Sequence, residues 1–277
     1  MKSFRNKVAA ITGAGSGIGR ALAEELSRRG CHLALSDINA DSVVETAARL
    51  GGSGVKITTE RVDVADRDAM HAWADRVAGD HGRVNLIFNN AGVGLGATVE
   101  GMRYEDIDWL MGINFWGVVH GTRAFLPHLK ASGEGHIVNT SSVFVFIGVP
   151  SQSAYNAAKF AVRGFTEALR QELDMLGCGV SATSVHPGGI KTNIAKSARL
   201  HDSVRSLGAD PATANAKMEK SFITTPEAAA KIILEAVEKD KRRVLVGLDA
   251  HLIDLMVRLL PSTYQRVVMT YAKSRML

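Results

Sequence analysis

The segment that most restricts the fold is Thr12-Gly13-Ala14-Gly15-Ser16-Gly17-Ile18-Gly19, which stands between a short apolar run and a helical pattern. Glycine is costly in the interior of a strand or helix. At a strand-to-helix junction it has a use instead. Backbone without side chains lets N–H groups approach an anion closely, and the N-terminus of the following helix favours negative charge. The spacing is the longer TGxxxGIG and not GxGxxG.

The rest of the chain alternates short β-branched runs with longer helical patterns, as parallel sheets with crossover helices do. Strands are predicted at Lys7–Thr12, His32–Ser36, Val55–Val62, Val84–Asn89, His136–Thr140, Val180–Val185 and Arg243–Val246. Helices are predicted at Gly17–Gly30, Ala40–Leu50 (ending at Gly51-Gly52), from an Asp66 cap to about Ala78, at Ser153–Leu176, and at Pro226–Glu238 with Thr225 as N-cap. A helical stretch over Tyr104–Lys130 must bend or end at Pro127. Pro187-Gly188 stops the sixth strand. The fold class is therefore α/β: a single Rossmann-type doubly wound parallel sheet of about seven strands with helices on both faces. With no linker or repeat, residues 1–277 read as one dinucleotide-binding and catalytic domain. Residues 191–224 are a polar, mobile insert suited to a substrate lid, and 249–277 form a basic helical tail.

Apolar residues make up 46% of the chain and charged ones 22%, which excludes a disordered protein. No run approaches the roughly 20 apolar residues that span a bilayer. The basic-then-apolar start, MKSFRNKVAAITGAG, is too short to be a signal peptide and leads into the first strand. Cys31 and Cys178 cannot build a disulfide framework, and no Cys/His spacing suits a metal, so a reducing cytoplasm is expected. Seven Lys/Arg and two Asp between Lys241 and Leu277 account for the whole net charge of +5. The body of the chain is thus neutral and offers no nucleic-acid surface.

Asp37 closes the second strand. A carboxylate there can accept both hydroxyls of an adenosine ribose and repel a 2′-phosphate, or it can be an ordinary strand-end Asp. Neither Ser16 nor Ile38 beside it is cationic, so NAD is expected over NADP. Tyr155 and Lys159 lie four apart on one helical face. A close ammonium, helped by a cofactor charge, favours the phenolate and lowers a pKa that is otherwise about 10.

In these residues the chain resembles the short-chain dehydrogenase/reductase family. The matching elements, from Lys7 to about Thr192, are the Thr12–Gly19 loop, Asp63 in RVDV, Asn89–Gly92 (NNAG), Asn114 in GINFWG, Ile137–Ser142, Tyr155-Asn156-Ala157-Ala158-Lys159, and Pro187-Gly188 with Thr192. The family's spacing selects Ser142 over Ser141. The resemblance implies a catalytic set of Asn114, Ser142, Tyr155 and Lys159: Tyr155 exchanges the proton, Ser142 holds the substrate oxygen, Lys159 binds the nicotinamide ribose, and Asn114 connects Lys159 to solvent. It implies cofactor contacts at Gly13, Ser16, Gly17, Ile18, Gly19 and Asp37. Asp63 and Val64 would meet the adenine, and Asn90, Ala91 and Gly92 the adenosine side. Tyr155, Lys159, Pro187, Gly188, Ile190 and Thr192 would surround the nicotinamide end. Asn114 could equally cap or kink its helix, and NNAG could simply hold the fourth strand.

Substrate identity falls to the segments between motifs. Val143–Pro150 is apolar and aromatic; it either lines the pocket, with Phe144 and Ser142 against the substrate, or packs in the core. Val93–Gly96 and the lid, with Ala195, Ala198, Leu200, Val204 and Leu207, supply the other walls. A lipophilic alcohol or ketone is expected. Leu252, Leu255, Met256, Leu259 and Leu260 recur at helical spacing in the tail. They either pack on the domain or another subunit, or lie on a membrane with Arg266, Lys273 and Arg275 near anionic headgroups. By resemblance, the Tyr104–Lys130 and Ser153–Leu176 helices pair between subunits in a homodimer or homotetramer. The rival functions are a 3-oxoacyl thioester reductase, which Asp37 argues against, and a non-catalytic dinucleotide sensor, which would not need Ser142, Tyr155 and Lys159.

Overall fold

The structure, a computed structural model, describes residues 1–51, 54–220 and 222–276, without the side chains of 217, 218, 275 and 276. Gly52 in the turn expected after the second helix, and the Arg275 side chain, lie outside the described residues. In chain order the elements are β1 (Val8–Thr12), α1 (Gly17–Arg28), β2 (His32–Asp37), α2 (Ala40–Arg49), β3 (Ile57–Arg61), α3 (Arg67–His81), β4 (Leu86–Asn89), β5 (Leu95–Gly96) and α4 (Tyr104–Met111). They continue with α5 (Gly117–Ala131), β6 (Gly135–Thr140), α6 (Ser153–Leu176), β7 (Val180–Pro187), β8 (Arg199–Leu200), α7 (Pro211–Glu219), α8 (Pro226–Glu238), β9 (Arg243–Val246), α9 (Leu248–Leu259) and α10 (Tyr264–Met276).

Seven strands form a parallel sheet in the order β3-β2-β1-β4-β6-β7-β9. The strand alternation explains the continuous apolar runs. Ala9 and Ile11 of β1 face one core, built with α1 and α8, while Val8 and Ala10 face the other, built with α3, α5 and α6. Trp73 and Phe125 meet edge to face in that second core, 5.1 Å apart. Strand order reverses between β1 and β4. At such a switch point the loops leaving the two strands diverge and open a crevice at the carboxyl ends.

The predicted caps are present: Asp66 accepts from the N–H groups of Asp68 and Ala69, and Thr225 from that of Ala228. β7 stops at Pro187-Gly188 as expected, two residues beyond the predicted end at Val185, and Pro127 sits inside α5 without ending it. The long helix is interrupted thirteen residues before Pro127, by a π-turn over Gly112–Trp116 that centres on Asn114. A single wide turn of this kind diverts a side chain out of register, and such turns concentrate at functional sites.

Candidate active site

The glycine loop follows β1, and Asn89–Gly92 follows β4, so both border the crevice. Gly13 has φ +65°, and a Cβ at Gly19 would lie 2.1 Å from the Gly13 carbonyl oxygen. The cradle therefore closes only around glycine. Asn90 ties the loop to β4: its Nδ2 donates to Thr12 O (3.1 Å), and its N–H and that of Ala91 donate to Thr12 Oγ1 (3.0 and 3.1 Å). Thr12 was not among the predicted site residues, though its place before the first glycine was the clue. Thr46 was missed as well; its Oγ1 donates to Ala14 O (3.0 Å) from the neighbouring helix. A cleft of about 230 Å³ separates the loop from the start of the 191–224 insert, lined by Gly17, Arg20, Lys191 and Thr192 among others.

Asp37 is brought to the loop. Its Oδ2 accepts from Gly15 N (2.9 Å) and its Oδ1 from Asn39 N (3.0 Å). Ile38 beside it is exposed. The cation in register with Asp37 on β3, Arg61, spends its Nε on the Ile38 carbonyl (3.2 Å). Asp63 and Val64 lie past the end of β3; Asp63 Oδ1 accepts from Ala65 N (2.9 Å), and Val64 packs under α5 at Gly117. Gly92 lies against Asn114 and Lys159: a Cβ there would lie 3.2 Å from Asn114 Oδ1 and 3.6 Å from Lys159 Nζ.

Ser142, Tyr155 and Lys159 converge where β6 ends and α6 begins. The two adjacent serines divide their work. Ser141 Oγ donates to Lys159 O (2.8 Å), whereas Ser142 Oγ accepts from Phe144 N (3.1 Å) and neighbours the Tyr155 phenol. Lys159 is buried, its Nζ donating to Thr140 O (3.0 Å) at 5.7 Å from the Tyr155 ring centroid. Burial pushes the Tyr155 phenol above its ordinary value, opposed by the Ser142 hydroxyl. Burial also pulls the Lys159 ammonium down to about 8. The phenol thus moves opposite to the expected lowering, because desolvation acts on it more strongly than any neighbour in this geometry.

Asn114 is fully buried. Its Oδ1 accepts from Val93 N and its Nδ2 donates to Val93 O, both at 2.8 Å, so it clamps the loop that leaves β4. That loop becomes β5, which pairs with β8 of the 191–224 insert; Arg199 of β8 also contacts Asp106 (3.6 Å) and stacks 3.5 Å from the Trp109 ring centroid. The 191–224 insert is more ordered than its polar sequence suggested, with β8, a 3₁₀ turn over Asp202–Leu207, and α7. The apolar run after Ser142 divides by side. Phe144 lies edge to face with Tyr155 at 5.9 Å, while Val143, Val145 and Phe146 are buried beneath α9 with Ala250, Ile253 and Val257. Asn156, unassigned from sequence, shapes this run: Nδ2 donates to the carbonyls of Phe144 (2.6 Å) and Ile147 (2.7 Å), and Oδ1 accepts from Val149 N (3.2 Å). Pro187, Gly188, Ile190 and Thr192 border the crevice at the end of β7, with the Thr192 methyl group over Gly17.

The model of the short chain dehydrogenase family matches residues 7–203. The chain belongs to that family. SadH of Mycobacterium tuberculosis, an oxidoreductase by name, is 49% identical over 269 residues, covering 97% of this chain and 96% of its own length. A short chain dehydrogenase/reductase from Burkholderia phymatum, solved with NAD, superposes with TM-score 0.87 at 32% identity, covering 96% of each chain. An alcohol dehydrogenase from Thermococcus sibiricus, solved with 5-hydroxy-NADP, gives 0.71 at 27% identity, with 86% of this chain and 95% of that one covered. The chain is accordingly an oxidoreductase of this family with a dinucleotide cofactor. Among the described residues there is no metal-holding cluster, and no helix is long and apolar enough to cross a membrane.

Proposed function

We propose that this protein transfers a hydride between NAD(H) and a lipophilic alcohol/ketone pair, with Tyr155 exchanging the proton at the substrate oxygen. The observation that carries the reading is the meeting of Ser142, Tyr155 and Lys159 at the crevice of the switch point, with a glycine cradle on its far side. The residues fit a dinucleotide: backbone N–H groups at a helix start suit its phosphates, and the Asp37 carboxylate suits an unphosphorylated ribose diol. When bound, that cofactor supplies the acceptor or donor of the hydride.

In the oxidative direction, Tyr155 takes the hydroxyl proton as the C–H bond breaks; in the reductive direction it returns a proton to the carbonyl oxygen. Ser142 Oγ, held at the start of its 3₁₀ turn, hydrogen-bonds the same oxygen and orients it. Lys159, with its Nζ 5.7 Å from the Tyr155 ring centroid, places positive charge on the phenol's side of the site, which favours the deprotonated form. Asn114 keeps Val93 and the pocket wall in place and, through its main chain, lies on the route from Lys159 to solvent. Val64, Ala91, Ile190 and Thr192 border the cofactor, and Phe144 the substrate. Asp37 disfavours the NADP-dependent thioester reductase alternative. The sensor alternative leaves the catalytic trio without a purpose.

The wider assignments rest on surface and sequence. Tyr104, Trp116 and Phe160 are exposed aromatics on the helices expected to pair in a homodimer or homotetramer. Leu248, Leu252, Leu255 and Leu259 form an exposed stripe on α9, suited to peripheral contact with an anionic bilayer in the cytoplasm. The central experiment is Tyr155→Phe, assayed with lipophilic alcohols and ketones. Turnover should fall about a thousandfold while NADH binding persists; substantial residual turnover removes Tyr155 from the reaction.

A further inference from the structure

We infer that Asp249, in the tail beyond the family-matched segment, is a positioning residue for the nicotinamide end of the crevice, acting through the hinge of the lid. The inference rests on the dinucleotide reading above and adds a residue to it.

Asp249 lies in the first turn of α9, and its Oδ2 accepts from Gly189 N at 2.5 Å. A carboxylate acceptor makes such a bond about twice as strong as a neutral one. The carboxylate is inserted between two backbone segments. A Cβ at Gly188 would lie 2.2 Å from Oδ2, and one at Gly247 would lie 2.5 Å from Oδ1, so glycine at both positions makes its room. Oδ1 is buried and has no hydrogen-bond partner among the described residues. A fold accepts that cost where the group does something besides stabilise.

Gly189 is also where the two ends of the lid meet. It accepts from Thr224 N (3.3 Å), and Lys191 N donates to Thr224 O (2.9 Å). The residue that gives its N–H to Asp249 therefore gives its carbonyl to the closing end of the lid. Ile190 and Thr192, the proposed nicotinamide contacts, follow immediately. Fixing Gly189 fixes their direction, and releasing it frees both lid ends together. The inner face of α9 meanwhile packs on the turn after Ser142. One helix of the tail thus supports both the catalytic serine and the cofactor loop.

The test compares NADH with ADP-ribose, which lacks the nicotinamide, in binding titrations on the full chain. Asp249→Ala should weaken NADH about tenfold, as expected for one charge-assisted hydrogen bond, and leave ADP-ribose within about twofold. Asp249→Asn keeps an oxygen able to accept from Gly189 and should lose only about threefold for NADH. If Asp249→Ala does not fold, Asp249→Asn carries the same selectivity test alone. Equal weakening of both ligands, or no change for NADH, overturns the inference. A wild-type protein that binds neither ligand overturns the dinucleotide reading itself, and the inference with it.

Discussion

Lys159→Met should make the protein more stable at neutral pH while abolishing its turnover. The lysine is 3% exposed, and the one hydrogen bond of its Nζ goes to the Thr140 carbonyl. Burial lowers its pKa from 10.5 to about 8, which corresponds to about 3 kcal/mol of destabilisation of the charged form. Methionine has similar reach and no charge; it forfeits the Thr140 contact, worth about 1 kcal/mol. The net gain is about 2 kcal/mol below pH 8, or about 4 °C in Tm for a chain of this size. The unfolded side chain keeps its proton up to 10.5, whereas the folded one releases it near 8. Across that window the unfolded chain binds more protons, so the wild type gains stability as pH rises. The variant has no such group, and its advantage should vanish towards pH 10.5. Thermal unfolding of both proteins at pH 7, 8, 9 and 10 measures this directly. A variant less stable at pH 7, or an advantage constant up to pH 10, would refute the claim that burial of the ammonium is what costs stability here.

Asp37→Ala removes the carboxylate from the end of β2 and should narrow the NAD/NADP preference by about tenfold, the value of one charge-assisted contact; an unchanged ratio in steady-state assays rejects NAD selection by this residue. Asn156→Ala deletes three hydrogen bonds that shape the run after Ser142. It should cost about 2–3 kcal/mol in denaturant unfolding and lower kcat more than it raises the KM for cofactor; unaltered stability would show that the turn holds itself. Leu252→Glu combined with Leu255→Glu should abolish co-sedimentation with phosphatidylserine vesicles and leave NADH binding intact. Loss of a dimer in place of vesicle binding would assign the stripe to a second copy.

The sheet was legible because its strands are buried on both faces. Runs such as Val84–Asn89 must then be continuously apolar, and the alternation with helices determines the parallel order. The glycine loop was legible for a local reason, since its requirement for positive φ and close approach is written into the residues themselves. The interruption at Asn114 was not. Nothing within Gly112–Trp116 marks a π-turn; the turn is held by Val93, a residue about twenty positions earlier, and a periodicity argument sees only neighbours. Of the two outcomes expected at Pro127, an end to the helix does not occur, because a helix whose surroundings hold it in place tolerates a proline that an isolated one would not.

The tail shows most clearly where sequence reasoning ends. As a string it carries the chain's entire net charge, but folding pairs much of that charge. Arg242 meets Asp174 at 2.6 Å, and Arg243 and Arg258 both reach Asp254, at 3.4 and 2.9 Å. The two tail aspartates, which looked like minor dilution of a basic segment, therefore have separate tasks. Asp254 gathers the arginines, and Asp249 turns inward to accept from Gly189 N. What remains for an anionic surface is Lys241, Arg266, Lys273 and Arg275, about four charges, each worth about 1 kcal/mol near an anionic membrane. Vesicle binding of this tail should accordingly show the salt dependence of about four cations and not of seven, and a steeper dependence would mean that the Asp254 and Asp174 pairs open on docking.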